Sequence, residues 1–494
     1  MCKGTTFVSI GQIYDNKCFF HFNFLSISRK NTIFASVMTF IIVILLVLGY
    51  LLIATGHITG VNKAAIAMFL ATVGWVVYVC WGTDYVMQLH PAEYATFLDG
   101  QPATSHTVKE FIHDSIFLTY VGRAAAIVMF LLATMTIVDL LESNGCFDFI
   151  SGWIHTRHTQ RVLWTLTITT FIISANLDNL TTATMMLVLM HGVVQSRRQR
   201  MLIGSAIVIA ANCGGCFTVI GDPTGLILWG DGAVTASRFS AMLALPALIA
   251  WIVPTALIAH QLPSRLDTEW GAAPYRGDDT RLNTWQRALM LFVGIGGLWF
   301  IPTFHTITGL SPFLGALCVL SVLWVVNEAV NRKLMQADPV MARRQPRVLQ
   351  YGAMQQMLFV MGIMLAMGVM TETGVLGDIA HWLITTFGSP WLLGLGAALL
   401  SATVDTFTVA VTNISFYPIQ DTGIFAQNGI YWSIMAFATA VGGCLLSVGS
   451  TSGLALMKME HMRLGWYVKT ITPKMLLGLL LGLAVLWMEV SVLA

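Results

Sequence analysis

The sequence predicts an all-α polytopic membrane protein made of two related halves, on three observations. Of 494 residues, 56% are hydrophobic and only 10% charged, with a mean hydropathy of +0.74; a soluble domain carries about 25% charged residues. Two short segments recur further along the chain. Ser174 to Thr184 (SANLDNLTTAT) is echoed by Ser401 to Val411 (SATVDTFTVAV), and Gly214 to Gly225 (GGCFTVIGDPTG) by Gly442 to Gly453 (GGCLLSVGSTSG). The offset is 227 residues for the first pair and 228 for the second, as a duplication requires. Finally, the arginines around residues 162–192 cannot be reconciled with a single crossing.

Taken in chain order, residues 1–33 read as an N-terminal extension, or as the product of a start placed upstream of Met38; they have neither the apolar core nor the cleavage site of a signal peptide. A membrane-spanning helix needs roughly 20 apolar residues. Clear spans are expected at 34–53, 64–83, 116–141, 240–261, 286–303, 311–330, 350–371 and 470–492. Stretches 201–236 and 430–465 are too long and too glycine-rich for simple spans. Each carries a Gly-Gly-Cys repeat, and the first also Pro223, so both read as discontinuous helices.

Arg157 and Arg161 precede the 162–192 stretch, and Arg197, Arg198 and Arg200 follow it. The positive-inside rule places both clusters on the cytoplasmic side. A re-entrant hairpin satisfies it, with its tip at Asn176-Leu177-Asp178-Asn179, provided protein or water covers the irregular backbone. Loop 84–115, which has Lys109 as its sole Lys or Arg among several acidic residues, reads as external. Loop 331–349, with Arg332, Lys333, Arg343, Arg344 and Arg347, reads as cytoplasmic. The second hairpin, 389–418 around Asp405, then opens outward. Each half has five crossings and one hairpin, and an odd number inverts the second copy. The resulting division is a first membrane repeat at 34–261, a polar cytoplasmic linker at 262–285, and a second, inverted repeat at 286–494.

Several function classes are excluded. A net charge of +2 gives no case for a nucleic-acid partner. No P-loop, HExxH or Gly-x-Ser-x-Gly motif is present, which argues against ATP-driven transport or hydrolysis and for a non-enzyme without cofactor. Cys213-Gly-Gly-Cys216 matches C-x-x-C, but Cys216 has a repeat partner in Cys444 while Cys213 aligns with Val441. That pattern reads as packing, with no metal site beyond a transported ion.

Asp178 and Asp405 lead the candidate residues. A carboxylate deep in a membrane costs several kcal/mol unless paired, protonated or ligated. Around Asp178 stand Asn179, Thr181 and Thr182, and around Asp405 stand Thr406 and Thr408: oxygen donors, suited to a small hard cation. The plainer reading is that both aspartates cap half-helices. The broken helices add Asn212, Gly214, Gly215, Asp222 and Thr224 in the first copy, and Gly442, Gly443 and Ser450 in the second. Their interrupted backbone offers carbonyls to cations and amides to anions, although Gly221 to Gly225 also reads as a plain turn. Arg123 reads as snorkelling to the outer interface or neutralising an acidic site, and Asp139, Glu142 and Glu372 as interfacial groups or a proton access route.

Leu177-Asp178-Asn179-Leu180-Thr181-Thr182, Ala211-Asn212-x-Gly-Gly, Gly221-Asp222 and Thr136-Ile137-Val138-Asp139 together resemble the NhaD-type sodium/proton antiporters. The likeness extends over most of residues 34–493. These antiporters form part of a superfamily that also holds dicarboxylate and arsenite carriers. The resemblance implies an elevator-type fold, a homodimer in a bacterial inner membrane, and exchange of sodium or lithium for protons with the tip aspartates as ligands. The family's second motif reads like Val-Asp-Asn-Val-Pro, whereas this chain has Val404-Asp405-Thr406-Phe407-Thr408, so a weaker or differently selective second half-site is expected. The alternative is a sodium-coupled carrier of dicarboxylates or another anion. It calls for Lys or Arg at the hairpin tips, and the motif windows contain neither.

Overall fold

A computed structural model describes residues 28–150, 154, 156, 158–266, 282–337 and 351–493. Most of the N-terminal extension, most of the linker and Arg157, Arg343, Arg344 and Arg347 therefore lie outside the described residues. What is described is helical, apart from two isolated β-bridges. The main helices are α1 (Ser28–Ala54), α2 (Lys63–Cys80), α3 (Leu118–Ser143), α4 (Thr159–Ser174), α5 (Asn179–Val193), α6 (Arg197–Phe217), α7 (Pro223–Gly230) and α8 (Ala236–Ala259). They continue with α9 (Thr284–Thr308), α10 (Pro312–Ala337), α11 (Tyr351–Glu372), α12 (Val375–Phe387), α13 (Pro390–Thr403), α14 (Thr406–Phe416), α15 (Ile430–Gly442), α16 (Thr451–Glu460) and α17 (Thr472–Leu493).

Local sequence explains the boundaries. Asn62 caps α2 by accepting from Ala64 N, and Asn283 with Gln286 forms a capping box at α9. Proline opens α7 and α13 at a position where its missing N–H costs nothing. Each expected span falls on a helix. Among the described residues, eight helical stretches are long and apolar enough to cross a membrane, or nine if α12 and α13, bent by 118°, count as one. The chain is an integral membrane protein. The expected span at 116–141 is longer than anticipated: a helical stretch runs from Ser105 to Ser143 through a π-helical turn at Ile112–Phe117.

The helices sort into two groups. One holds α1, α2, α3, α9, α10 and α11. Within it α2 and α11 run parallel and close: Trp75 Nε1 donates to Leu365 O at 3.0 Å, and a Cβ on Gly362 would lie 2.6 Å from the Ala67 carbonyl carbon. An asparagine cluster ties α3 to α10, with Asn144 Nδ2 donating to Asn327 Oδ1 and Asn331 Nδ2 to Asn144 Oδ1, both at 2.8 Å. Trp285, Phe292, Trp299 and Ile307 form an exposed stripe on α9, the surface a bilayer covers.

The other group gathers α4 to α8 with α13 to α17. Here α8 packs along α17, the last helix of the chain, with Gly478 against Pro254. The 162–192 stretch is a hairpin, as the arginines require. α4 and α5 both line α6, and α5 runs antiparallel to it, from Asn179 beside Asn212 to Val194, whose carbonyl accepts from Arg200. In the second hairpin α13 lines α15, and α14 returns antiparallel to α15, from Thr406 beside Gly443 to Asn413, which accepts from Tyr431. Both long stretches are broken as expected, at residues 218–222 and 443–450. Gly214 and Gly215 nevertheless stay inside α6, and the chain leaves the helix only at Thr218.

Candidate functional site

The two glycine pairs let the hairpins reach the broken helices. A Cβ on Gly214 would lie 2.4 Å from Phe171 O, and one on Gly442 would lie 2.6 Å from Ala398 O. The neighbouring serines seal the same contacts: Ser174 Oγ donates to Ala211 O and Ser401 Oγ to Thr439 O, each at 2.7 Å. Partners in the two sets differ by 227 or 228 residues, the offset seen in the sequence. Where α6 and α15 cross, Cys216 Sγ faces Ala436 O at 3.8 Å and Cys444 Sγ faces Val208 O at 4.0 Å. Going up α6 from Val208 to Cys216 therefore means going from Cys444, just past the end of α15, back down to Ala436, so these helices are antiparallel. Each hairpin consequently opens at the opposite end from the other. Cys213, Cys216 and Cys444 are free and buried, in keeping with packing.

Asp178 is 4% exposed and caps α5. Its Oδ2 accepts from the N–H groups of Leu180 and Thr181, both at 3.1 Å, and from Thr181 Oγ1 at 3.3 Å. Its Oδ1 is buried without a hydrogen-bond partner, although Gln356 of α11 lies beside the carboxylate. The capping and ligand readings thus fall on different oxygens of one side chain. Asn179 Nδ2 donates to Asp222 Oδ2 at 2.8 Å and reaches Asn212 Oδ1 at 3.3 Å. Asp222 caps α7 through Thr224 N at 2.8 Å. Asn212 Nδ2 donates across the halves to Ser452 Oγ at 2.8 Å, and Ser452 donates to Ser450 Oγ at 3.2 Å. Ser450 takes the place of Asp222 by capping α16. One buried polar network therefore joins the first hairpin to both broken helices.

Asp405, 3% exposed, sits at the second tip. It lies near the N–H groups of Phe407 and Thr408 but forms no side-chain cap within hydrogen-bond geometry. Its partner is Lys63, with Nζ 3.8 Å from Oδ1. Both Asp178 and Asp405 act electrostatically on Asp222, which places three carboxylates in one neighbourhood. The hydroxyls of Thr182 and Thr408 are buried without hydrogen-bond partners. Uncommitted oxygens of this kind are uncommon in native structures, and these belong to the residues picked out for cation binding. Thr406 is buried with its methyl towards Gly443. The apolar cavity of about 180 Å³ between α1, α12, α13 and α14, lined by Tyr50, Leu383 and Tyr417 among others, lies beside the second hairpin rather than among the carboxylates.

Sequence reasoning placed Ser452 at the second break but missed Lys63, Gln356 and the surroundings of Glu372. Lys63 carried a weak signal as a lysine opening an apolar span. The interfacial reading of Glu372 is corrected. The side chain is 5% exposed and accepts from Tyr120 OH at 2.8 Å and Tyr78 OH at 3.4 Å, with His90 Nε2 at 2.8 Å. That hydrogen bond holds the His90 imidazole above its ordinary value against partial burial, with Glu93 adding to it. At the other end of α3, Asp139 is half-buried and Glu142 exposed. Arg123 is exposed, and its charge acts on Asp231 and Tyr120.

Fold and site define the class of protein: a polytopic membrane protein whose polar centre is walled by half-helices. A family model described as "Citrate transporter" matches residues 103–332. Across most of its length the chain is similar to two Arabidopsis thaliana proteins. "Sodium/proton antiporter 1" is 29% identical over 445 residues, 88% of this chain and 70% of the relative. "Sodium/proton antiporter 2" is 28% identical over 441 residues, 88% of this chain and 96% of the relative. "Na(+)/H(+) antiporter NhaD" of Vibrio cholerae is 27% identical over 387 residues, 72% and 76% of the two chains. The resemblance to NhaD-type antiporters carried by the LDNLTT and Asn-x-Gly-Gly motifs is borne out, and the relatives are transporters.

Proposed function

We propose that this protein is a secondary active antiporter that exchanges sodium, with lithium as a second cation, for protons. One observation carries the reading: Asp178 is buried with an Oδ1 that has no hydrogen-bond partner, and the buried hydroxyls of Thr182 and Thr408, residues expected to serve a hard cation, have none either. Sodium and a proton competing for one buried carboxylate couple the two fluxes. The site comprises Asp178, Asn179, Thr181 and Thr182 at the first tip, Asp405, Thr406 and Thr408 at the second, and the broken-helix residues Asn212, Gly214, Gly215, Asp222, Thr224, Gly442, Gly443 and Ser450. The names of the sodium/proton relatives support the choice of ions.

The same reading takes residues 34–261 and 286–494 as two inverted repeats joined by the 262–285 linker. The antiparallel crossing of α6 and α15 and the matched contact offsets support it. Alternating access is by elevator movement, the group holding both hairpins sliding against α1–α3 and α9–α11, in a homodimer. The host membrane is a bacterial inner membrane on the origin of the NhaD-named relatives, with the Arabidopsis relatives pointing to plants as well.

Sodium-induced proton movement in proteoliposomes, followed with a pH-sensitive dye, tests the function. Exchange is expected in the intact protein and its loss in Asp178→Asn. A folded protein without any sodium, lithium or potassium response refutes it. The second reading, carriage of a citrate-like anion, has the family model over 103–332 in its favour. Among the described residues the cation found at a tip, Lys63, is already paired with Asp405, and three carboxylates repel such an anion. Uptake of labelled citrate or succinate would revive it.

A further inference from the structure

We propose that Lys63 is a tethered stand-in for the transported cation at the second half-site, which sodium must displace; this rests on the antiporter reading. Lys63 comes from α2, in the helix group that does not contain the hairpin. Its place is fixed by the Asn62 cap on Ala64 N at 2.9 Å and by the close packing of α2 on α11. From there its ammonium reaches Asp405 at 3.8 Å. That is ion-pair range but too long for a hydrogen bond, and Nζ is buried with no hydrogen-bond partner of its own. Asp405 makes no capping bond either. At 3.8 Å the pair is held chiefly by charge, with the N–H groups of Phe407 and Thr408 near the carboxylate but without the close contacts that normally lock a buried ion pair. A small cation coordinating the Asp405 oxygens directly would replace a poorly satisfied ammonium, and two positive charges cannot share that carboxylate in so little space.

The first half-site differs. Asp178 faces the neutral Gln356, and among the described residues no ammonium or guanidinium is paired with it. The two repeat-related aspartates are thus unequal. Asp178 binds its ion unopposed, whereas Asp405 binds only by expelling Lys63, so Lys63 sets the sodium concentration at which the second half-site fills. Because it spans the two helix groups, the Lys63–Asp405 pair also has to break whenever the hairpin moves relative to α2.

The test is sodium binding by the purified full-length protein, read as the sodium-dependent rise in unfolding temperature, beside sodium-driven proton flux in proteoliposomes. Lys63→Gln is expected to lower the half-saturating sodium concentration by at least about tenfold in both readouts, and Lys63→Arg to stay near wild type. In an Asp405→Asn background, Lys63→Gln is expected to change nothing further, since the coupling is lost once either partner is gone. Should Lys63→Gln not fold, Lys63→Met carries the same expectation. A folded neutral variant with unchanged or raised half-saturating sodium overturns the proposal, as does an undiminished effect in the Asp405→Asn background. If wild type itself neither binds nor exchanges sodium, the antiporter reading falls with it.

Discussion

Asp178→Asn and Asp178→Ala separate the helix cap made by Asp178 Oδ2 from the cation-ligand role proposed for its carboxylate charge. Asparagine caps a helix as well as aspartate does, so its side-chain oxygen keeps the bonds from Leu180 N and Thr181 N, both 3.1 Å long in the native protein. Its stability is expected to stay within about 0.5 kcal/mol of wild type. Alanine removes that cap and strands two buried donors, at a cost of about 1 kcal/mol and up to ~2. The charge is a larger quantity. A unit charge and a cation 4 Å apart interact by about 4 kcal/mol at an effective dielectric constant of ~20, or roughly a thousandfold in affinity. Thermal unfolding in detergent should therefore rank wild type and Asp178→Asn together above Asp178→Ala. Sodium-driven proton flux should be lost in both variants. Sodium-dependent flux surviving in Asp178→Asn would refute the ligand assignment, and equal destabilisation of the two variants would refute the capping account.

Other outcomes follow from single contacts. Gly214→Ala and Gly442→Ala each push a methyl into hairpin backbone and are expected to cost about 1–3 kcal/mol, read as a lower unfolding temperature with sodium dependence retained. Arg200→Ala leaves Glu460, 2% exposed and held by Arg200 Nε at 2.9 and 3.0 Å, with only His191 at 3.8 Å as an ion-pair partner among the described residues; the expected loss is about 3 kcal/mol, with lysine recovering part of it. Because the Glu372 hydrogen bond raises the His90 value above its ordinary one, charged His90 stabilises the fold fully below that ordinary value, and the contribution fades as pH rises through the raised one. The gap in unfolding temperature between wild type and His90→Gln should therefore be widest in mild acid and close at alkaline pH; a gap that widens with pH refutes this.

Much of this arrangement was readable in the amino-acid sequence because a membrane imposes strong rules. Span lengths, arginine placement and the matched offsets led to both hairpins and both broken helices. The GGC repeats told where the helices break only to within a few residues, because Gly214 and Gly215 serve close packing and the chain turns later, at Thr218. Site partners from within the motifs, such as Asn179, Asn212 and Asp222, were found. Lys63 and Gln356 were not, because each reaches the site across tertiary packing that no local pattern encodes. Glu372 was misjudged for a related reason. It ends a helix, where a glutamate is ordinarily solvated, yet Tyr78 and Tyr120, two hydroxyls from separate helices, and His90 fold over it.

The pairing of α8 with α17 has a consequence for how the chain is made. Gly478 meets Pro254, and at a synthesis rate of roughly 5–20 residues per second the ribosome needs about 10–45 seconds to travel from one to the other. Throughout that interval the face of α8 that α17 will cover is left to lipid or to an insertion factor. α2 waits still longer for α11. Neither half can finish before the other has been synthesised, so biogenesis proceeds as a late interlocking of nascent segments rather than as two modules assembled in turn. A ribosome stall or a lost C-terminal helix should therefore expose the early half to membrane proteolysis, long after its own helices have been inserted.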